Sequence, residues 1–182
     1  MSERGTHVAV AGARGGAVAA VGTGPEGLTR GDVLGMLRTV PDPELPMVSI
    51  VDLGMIGGIE IEPPPPAADG SIRVELLPTF IGCPALELIR SDVHGRLAGL
   101  GRVVRVETVF RPPWSTERIS PVALRALAEA GIAAPTDGTA PAACPWCGST
   151  RTVMDSAFGP TQCRSLHYCR DCRQPFEALR RV

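Results

Sequence analysis

Two Cys-x-x-Cys pairs, Cys144/Cys147 and Cys169/Cys172, constrain this chain more than any other feature. Each places two sulfurs on one tight turn, and 21 residues separate the pairs. That pattern fits a tetrahedral metal site better than a disulfide framework. In "CPWCGS", Pro145 stiffens the turn and Gly148 permits a positive φ after the second sulfur. The expectation is a structural four-cysteine zinc ribbon over 144–182. A single iron held by the same four thiolates, as in rubredoxin-like sites, is the alternative, and disulfides come last. Four protein sulfurs close the shell, so this ion has no open position for catalysis.

The rest of the chain is long enough for one ordinary domain. It has 182 residues, 44% hydrophobic but 4% aromatic, so the core must be built from aliphatic side chains. The net charge is −1, which argues against a general polyanion binder. The ribbon segment carries six Arg against two Asp and one Glu, and a zinc tetrathiolate centre would offset about two of those positive charges. All eighteen basic residues are Arg, which removes Schiff-base lysine chemistry. Apolar runs stay short of a membrane span. The apolar N-terminus is broken by Arg14 and glycines, so residues 1–27 are expected to be a disordered tail.

Residues 29–40 have the pattern of a short helix capped by Thr29, with Val33, Leu37 and Val40 on its buried face. "MIGGIEIE" and "SIRVELLPT" read as two strands of a hairpin joined by "PPPPAADG". "CPALELIRSDVHGRLAGLG" is the clearest helix, with Pro84 at its first position and Leu86, Ile89, Val93 and Leu97 in one stripe. "RVVRVETVF" is a third strand, and "STERISPVALRALAEAG" gives one or two short helices. Linker composition follows over 133–143. The expected fold is α+β: a small mixed sheet with helices on one face over 28–132, then the four-cysteine module.

Cys83 stands alone between a strand end and a helix start. If Pro84 opens the helix, Cys83 is its N-cap, and the unpaired N–H groups and helix dipole would lower its pKa. Thr79 can place a hydroxyl near the sulfur. Asp42, Glu44 and Asp52 fall within eleven residues in "PDPELPMVSIVDLG", and carboxylates with one thiolate are reasonable transient iron ligands. Cys163 is a spare thiol near the ribbon: a packed small side chain, a ligand or a redox partner. The histidines do not complete a hydrolase. His7 is in the tail, His94 on a helix away from Cys83, and His167 in the ribbon, a surface residue or a support to the metal site. No glycine-rich phosphate loop is present.

"DPELPMVSIVDLG", "PTFIGCP", "FRPPWSTERIS", "GI" and "CPWCGS…FGPTQCRSLHYCRDCRQPFE", in that order, resemble the PaaD (PaaJ) subunits of the bacterial phenylacetyl-CoA epoxidase (ring 1,2-epoxidase) system. The similarity runs from about 30 to 179. The first half is similar to SufT-like iron–sulfur assembly factors, whose motifs surround a functional cysteine, here Cys83, with Asp42, Glu44, Asp52 and Thr79 at the matching positions. "FGPTQC" makes Cys163 part of the resemblance. The tail and the "PPPP" insertion fit no part of it.

The resemblance implies an accessory, non-catalytic role in aerobic phenylacetate degradation, in which the protein helps assemble or insert iron–sulfur or di-iron centres. Expected partners are the epoxidase subunits, especially the iron–sulfur reductase or the di-iron subunit, with a homodimer possible and neither nucleic acid nor membrane involved. Zinc is expected in the ribbon, with iron or an iron–sulfur cluster only passing through, in the cytoplasm. The competing expectation is a zinc-ribbon adaptor that docks oxygenase subunits through Trp146, Tyr168 or Phe176 without transferring metal.

Overall fold

The computed structural model describes residues 27–63, 70–135 and 141–180. The tail, most of the proline-rich turn and the middle of the expected linker lie outside them.

Helix α1 spans Arg30–Leu37. Thr29 caps it: its hydroxyl accepts from the Asp32 N–H, and the Asp32 carboxylate accepts from the Thr29 N–H. This reciprocal box satisfies two amide donors that a helix start leaves unpaired. Val33 and Leu37 enter the core.

Strands β1 (Ile56–Glu62) and β2 (Ser71–Leu76) pair antiparallel, as the hairpin reading expects, and β3 (Val103–Thr108) joins β2 in parallel. The parallel crossover is helix α2, Leu86–Leu97. Alternation in β2 sorts its faces: Ile72, Val74 and Leu76 are fully buried, while Arg73 sits on the other face among Glu60, Glu75 and Glu107. Ile89, Val93 and Leu97 of α2 pack in the same core. Each such side chain contributes about 1.5–3 kcal/mol by leaving water.

A 3-10 turn at Thr116–Arg118 and helix α3, Pro121–Glu129, follow, with Ser120 capping α3 and Pro121 in its first turn. The second sheet has the order β4-β7-β6-β5. Strand β4 is two residues, Ile132–Ala133, parallel to β7 (Pro175–Leu179). Strands β5 (Thr152–Ser156) and β6 (Arg164–Cys169) complete it antiparallel. Thus Ala133, read from sequence as linker, is a strand residue. Ile132 and Leu179 belong to the core of the first sheet, so the two halves share buried surface.

The architecture is α+β, a small mixed sheet backed by helices and followed by a cysteine-bearing ribbon. One boundary moves. Helix α2 begins at Leu86 with Ala85 as its N-cap, and Pro84 lies in the preceding turn. Cys83, the expected N-cap, therefore lies two residues upstream of the observed one.

Candidate metal and thiol sites

The sulfurs of Cys144, Cys147, Cys169 and Cys172 lie within 4.8 Å of one another. Cys144 and Cys172 are 3.6 Å apart, and Cys147 and Cys169 3.7 Å. Four thiolates around one ion at a bond length of about 2.3 Å stand about 3.8 Å apart. A disulfide would need about 2.05 Å. All six cysteines are unbridged, so the donor set fits a tetrahedral ion.

The ribbon backbone builds this quartet. The Gly148 N–H closes the first knuckle on the Cys144 carbonyl at 2.8 Å, with Gly148 at φ +73°. In the second knuckle, N–H groups of Cys172 and Asp171 hold the Cys169 thiol down to about 7. Asp171 ties the knuckles together, accepting from Ser149 and pairing with Arg151 at 2.8 Å. His167 is buried rather than on the surface. It stacks on Phe176 with centroids 5.3 Å apart, and its Nε2 lies 2.9 Å from Ser165 Oγ.

The acidic turn makes a second site. Asp42 is 6% exposed, and its Oδ1 accepts from the N–H groups of Glu44 and Leu45, each at 2.9 Å. Those bonds fold "DPEL" so that Glu44 reaches the ribbon. The Cys163 thiol donates to Glu44 Oε2 at 3.7 Å and lies 3.1 Å from Thr161 Oγ1. Asp42, Glu44, Thr79, Trp114, Cys163 and Arg180 are among the residues lining a cavity of about 10 Å³, room for one water-sized body. Trp114 is fixed there by its indole N–H, which donates to the Leu53 carbonyl at 3.0 Å.

Cys83 is half-buried and lies near enough to Glu44, Asp42 and Cys163 to feel their charges, although it is not part of the cavity wall. Burial pushes its thiol up, and the charges of Glu44, Asp42 and Cys163 add to that push, against a single lowering contact from the Ala85 N–H. The expected lowering at a helix start is thereby reversed. The sulfur is displaced from the cap position, and burial, with smaller pushes from the nearby charges, outweighs the one amide contact. Glu87, in the first turn of α2, pairs with Arg90 at 3.0 Å and is exposed. Burial likewise raises the Cys163 thiol and the Asp42 carboxyl.

The structure thus brings Asp42, Glu44, Thr79, Cys83 and Cys163 together. It does not bring Asp52. That carboxylate accepts from Ser49 Oγ at 2.7 Å and Ser120 Oγ at 3.3 Å and faces Arg38 at 3.5 Å, while the Asp52 carbonyl accepts from the Ser120 N–H. It joins the ends of α1 and α3. Sequence reasoning missed Thr161, Trp114, Arg164 and Arg180; the first three lay inside the quoted motifs "FRPPWSTERIS" and "FGPTQCRSLHYC", and Arg180 lay outside them. Arg164 pairs with Glu177 at 2.6 Å, and its charge favours the ionised form of Asp42.

Of the adaptor's candidate anchors, Phe176 is buried and Tyr168 is 38% exposed. Trp146 is 53% exposed, yet its indole N–H donates to the Pro175 carbonyl at 3.3 Å.

Comparison with known proteins divides the chain in the same way. Residues 30–108 match the family described as iron-sulfur cluster assembly protein, and residues 129–180 match the PaaD zinc beta ribbon domain. A relative from Escherichia coli K12, named as a subunit of a "Putative 1,2-phenylacetyl-CoA epoxidase", is 32% identical over 80% of this chain and 89% of its own length. An Fe-S protein maturation auxiliary factor from Porphyromonas gingivalis is 35% identical over 53% of this chain and 88% of its own. The crystal structure of a DUF59 domain from Bacillus anthracis shares 34% identity over 53% of this chain and 89% of that one, with a TM-score of 0.44. With an assembly-type half, a ribbon half and a relative that spans both, the chain belongs to the PaaD family of phenylacetyl-CoA epoxidase subunits.

Proposed function

We propose that this protein is an accessory maturation factor of a phenylacetyl-CoA epoxidase system in aerobic phenylacetate breakdown. It helps assemble or insert the iron–sulfur or di-iron centres of its partner subunits, the iron–sulfur reductase or the di-iron oxygenase component. Iron is its cargo, and Cys83 is the transient ligand. The observation that carries this reading is the half-buried, unbridged Cys83 thiol beside the Asp42 and Glu44 carboxylates. Sulfur and carboxylate together suit an iron that must bind and leave. The names of the relatives support the same reading.

The ribbon quartet has a different task. Cys144, Cys147, Cys169 and Cys172 hold a resident ion, assigned as zinc, that supplies folding energy and no reactivity. In this reading the protein turns over no substrate of its own. Asp42 shapes the turn, Glu44 offers a carboxylate oxygen, and Thr79 offers a hydroxyl at the cavity wall.

The test is Cys83→Ser in cells that use phenylacetate as carbon source. The expected result is a loss of iron from the partner subunits and a fall in epoxidase activity of at least about tenfold, with the variant still folded and zinc-loaded. Unchanged iron content and activity would rule out Cys83 as the working residue.

A further inference from the structure

We propose that Cys163 is the second sulfur ligand of the cargo site. In this proposal the ribbon carries it to Cys83, and one Fe2+ is held between the two thiolates and the Glu44 carboxylate. The inference rests on the maturation reading above and adds to it a residue and a reason for the ribbon.

Several separate observations converge. The Cys163 sulfur and Glu44 Oε2 are 3.7 Å apart, although 119 residues separate them in sequence. An ion bonded to sulfur at about 2.3 Å and to oxygen at about 2.1 Å, at a tetrahedral angle, sets those atoms about 3.6 Å apart. Cys163 and Glu44 also line one cavity, whose size suits a single ion. Asp42 lines it too, and both hydrogen bonds to its carboxylate among the described residues fall on Oδ1. Its Oδ2 has no hydrogen-bond donor among the described residues and is left available to the cavity that Asp42 lines.

The ribbon is held so that Cys163 faces this site. The Arg180 N–H donates to the Cys163 carbonyl at 2.8 Å, and the Arg180 guanidinium donates to the Gln162 carbonyl at 3.1 Å. Arg164, the next residue, closes the turn by donating from Nε to Thr161 Oγ1 at 2.9 Å. Leu179, beside Arg180, sits in the first core. The loop bearing Cys163 is thereby anchored on both halves of the molecule.

The chemistry is ligand exchange without electron transfer. Each thiol loses its proton to solvent as a sulfur–iron bond forms, and iron remains Fe2+. The ribbon quartet, already filled by zinc, does not compete, because zinc holds thiolate sites more tightly than ferrous iron.

The experiment uses the full chain, reduced, zinc-loaded and free of oxygen, titrated with Fe2+. X-ray absorption at the iron edge counts sulfur neighbours, and zinc content with circular dichroism reports the fold. Wild type is expected to bind one iron with two sulfurs. Cys163→Ser and Cys83→Ser should each leave one sulfur and weaken binding at least tenfold, and Cys163→Ala should do the same if serine oxygen perturbs the site. Iron with a single sulfur in wild type, unchanged by Cys163→Ser but lost in Cys83→Ser, would overturn the role of Cys163 while leaving the maturation reading intact. Wild type that takes up no iron beyond its zinc would overturn both.

Discussion

Trp146 lies against Gly131, so closely that a Cβ built on the glycine would stand 2.4 Å from Trp146 Cζ2. Gly131 ends the α3 region at φ +79°, where a side chain is already strained. Because Trp146 belongs to the first cysteine knuckle, this contact seats the ribbon on the helical half. Gly131→Ala is expected to destabilise by about 1–3 kcal/mol. The Trp146 ring can swing outward, so its fluorescence should shift to the red while the buried Trp114 is unchanged. Thermal unfolding and emission spectra check both.

Gly54 should be less forgiving. Its φ is +77°, and a Cβ there would meet both the Cβ and the carbonyl oxygen of Arg118 at 2.5 Å. Arg118 cannot retreat without breaking its bonds to the Gly54 and Ile56 carbonyls, at 2.9 and 2.8 Å. Gly54→Ala is expected to cost about 2–4 kcal/mol, more than Gly131→Ala, read as a lower urea midpoint.

The charge of Asp42 is set against the stability of the fold. Its carboxyl is raised above 3.8, chiefly by burial. The folded state therefore favours the protonated form. The stability tied to that form is complete below 3.8 and is lost as pH rises through the folded value. At pH 7 Asp42→Asn removes the buried charge yet keeps an Oδ1 acceptor for Glu44 and Leu45. Its melting temperature should equal or exceed that of wild type, with the gap closing at low pH. Asp42→Ala also loses the acceptor, at a cost of about 1–2 kcal/mol. Calorimetry across pH 3–8 would expose an error here as an Asn variant no more stable than the Ala one.

Alkylation gives the corresponding test for the thiols. Burial and the neighbouring carboxylates push Cys83 and Cys163 above the ordinary value of 9.0. Since the thiolate is the reacting form, iodoacetamide labelling of both should be slow at pH 7 and should rise with an inflection above 9.0. Glu44→Gln removes one negative charge beside both sulfurs and should move both inflections down. Peptide mass spectrometry on zinc-loaded protein separates the two sites.

Removing the ribbon ion should undo more than the ribbon. Chelation is expected to expose Cys144, Cys147, Cys169 and Cys172 to labelling and to open β5–β7 to proteases. Leu179 and Ile132 are 6% and 4% exposed in the first core. Their loss should therefore lower the melting temperature of the helical half as well. An unchanged melt after complete removal of the ion would show that the halves are independent.

Local patterns in the sequence carried most of the first half. Thr29 advertised its cap, and Ile72, Val74 and Leu76 advertised a half-buried strand. The α2 start was misplaced because Pro84 suits a helix's first position and a preceding turn equally well. The short β4 strand was invisible, since Ile132–Ala133 becomes a strand only by pairing with β7. In β6, Cys169 read as a ligand rather than as a strand residue. At the site, Asp42, Glu44, Thr79 and Cys83 were legible as chemistry, but their meeting with Cys163 depends on tertiary packing across 119 residues. Asp52 looked the same as its acidic neighbours and proved to serve helix ends instead.

The position of Leu179 in the first core has a consequence for how the chain is made. The helices and the three-stranded sheet emerge from the ribosome early, yet their hydrophobic centre stays unsealed until a residue near position 179 has been synthesised. Biogenesis is therefore ordered in time: the nascent chain cannot close the cavity before its cysteine knuckles have been translated.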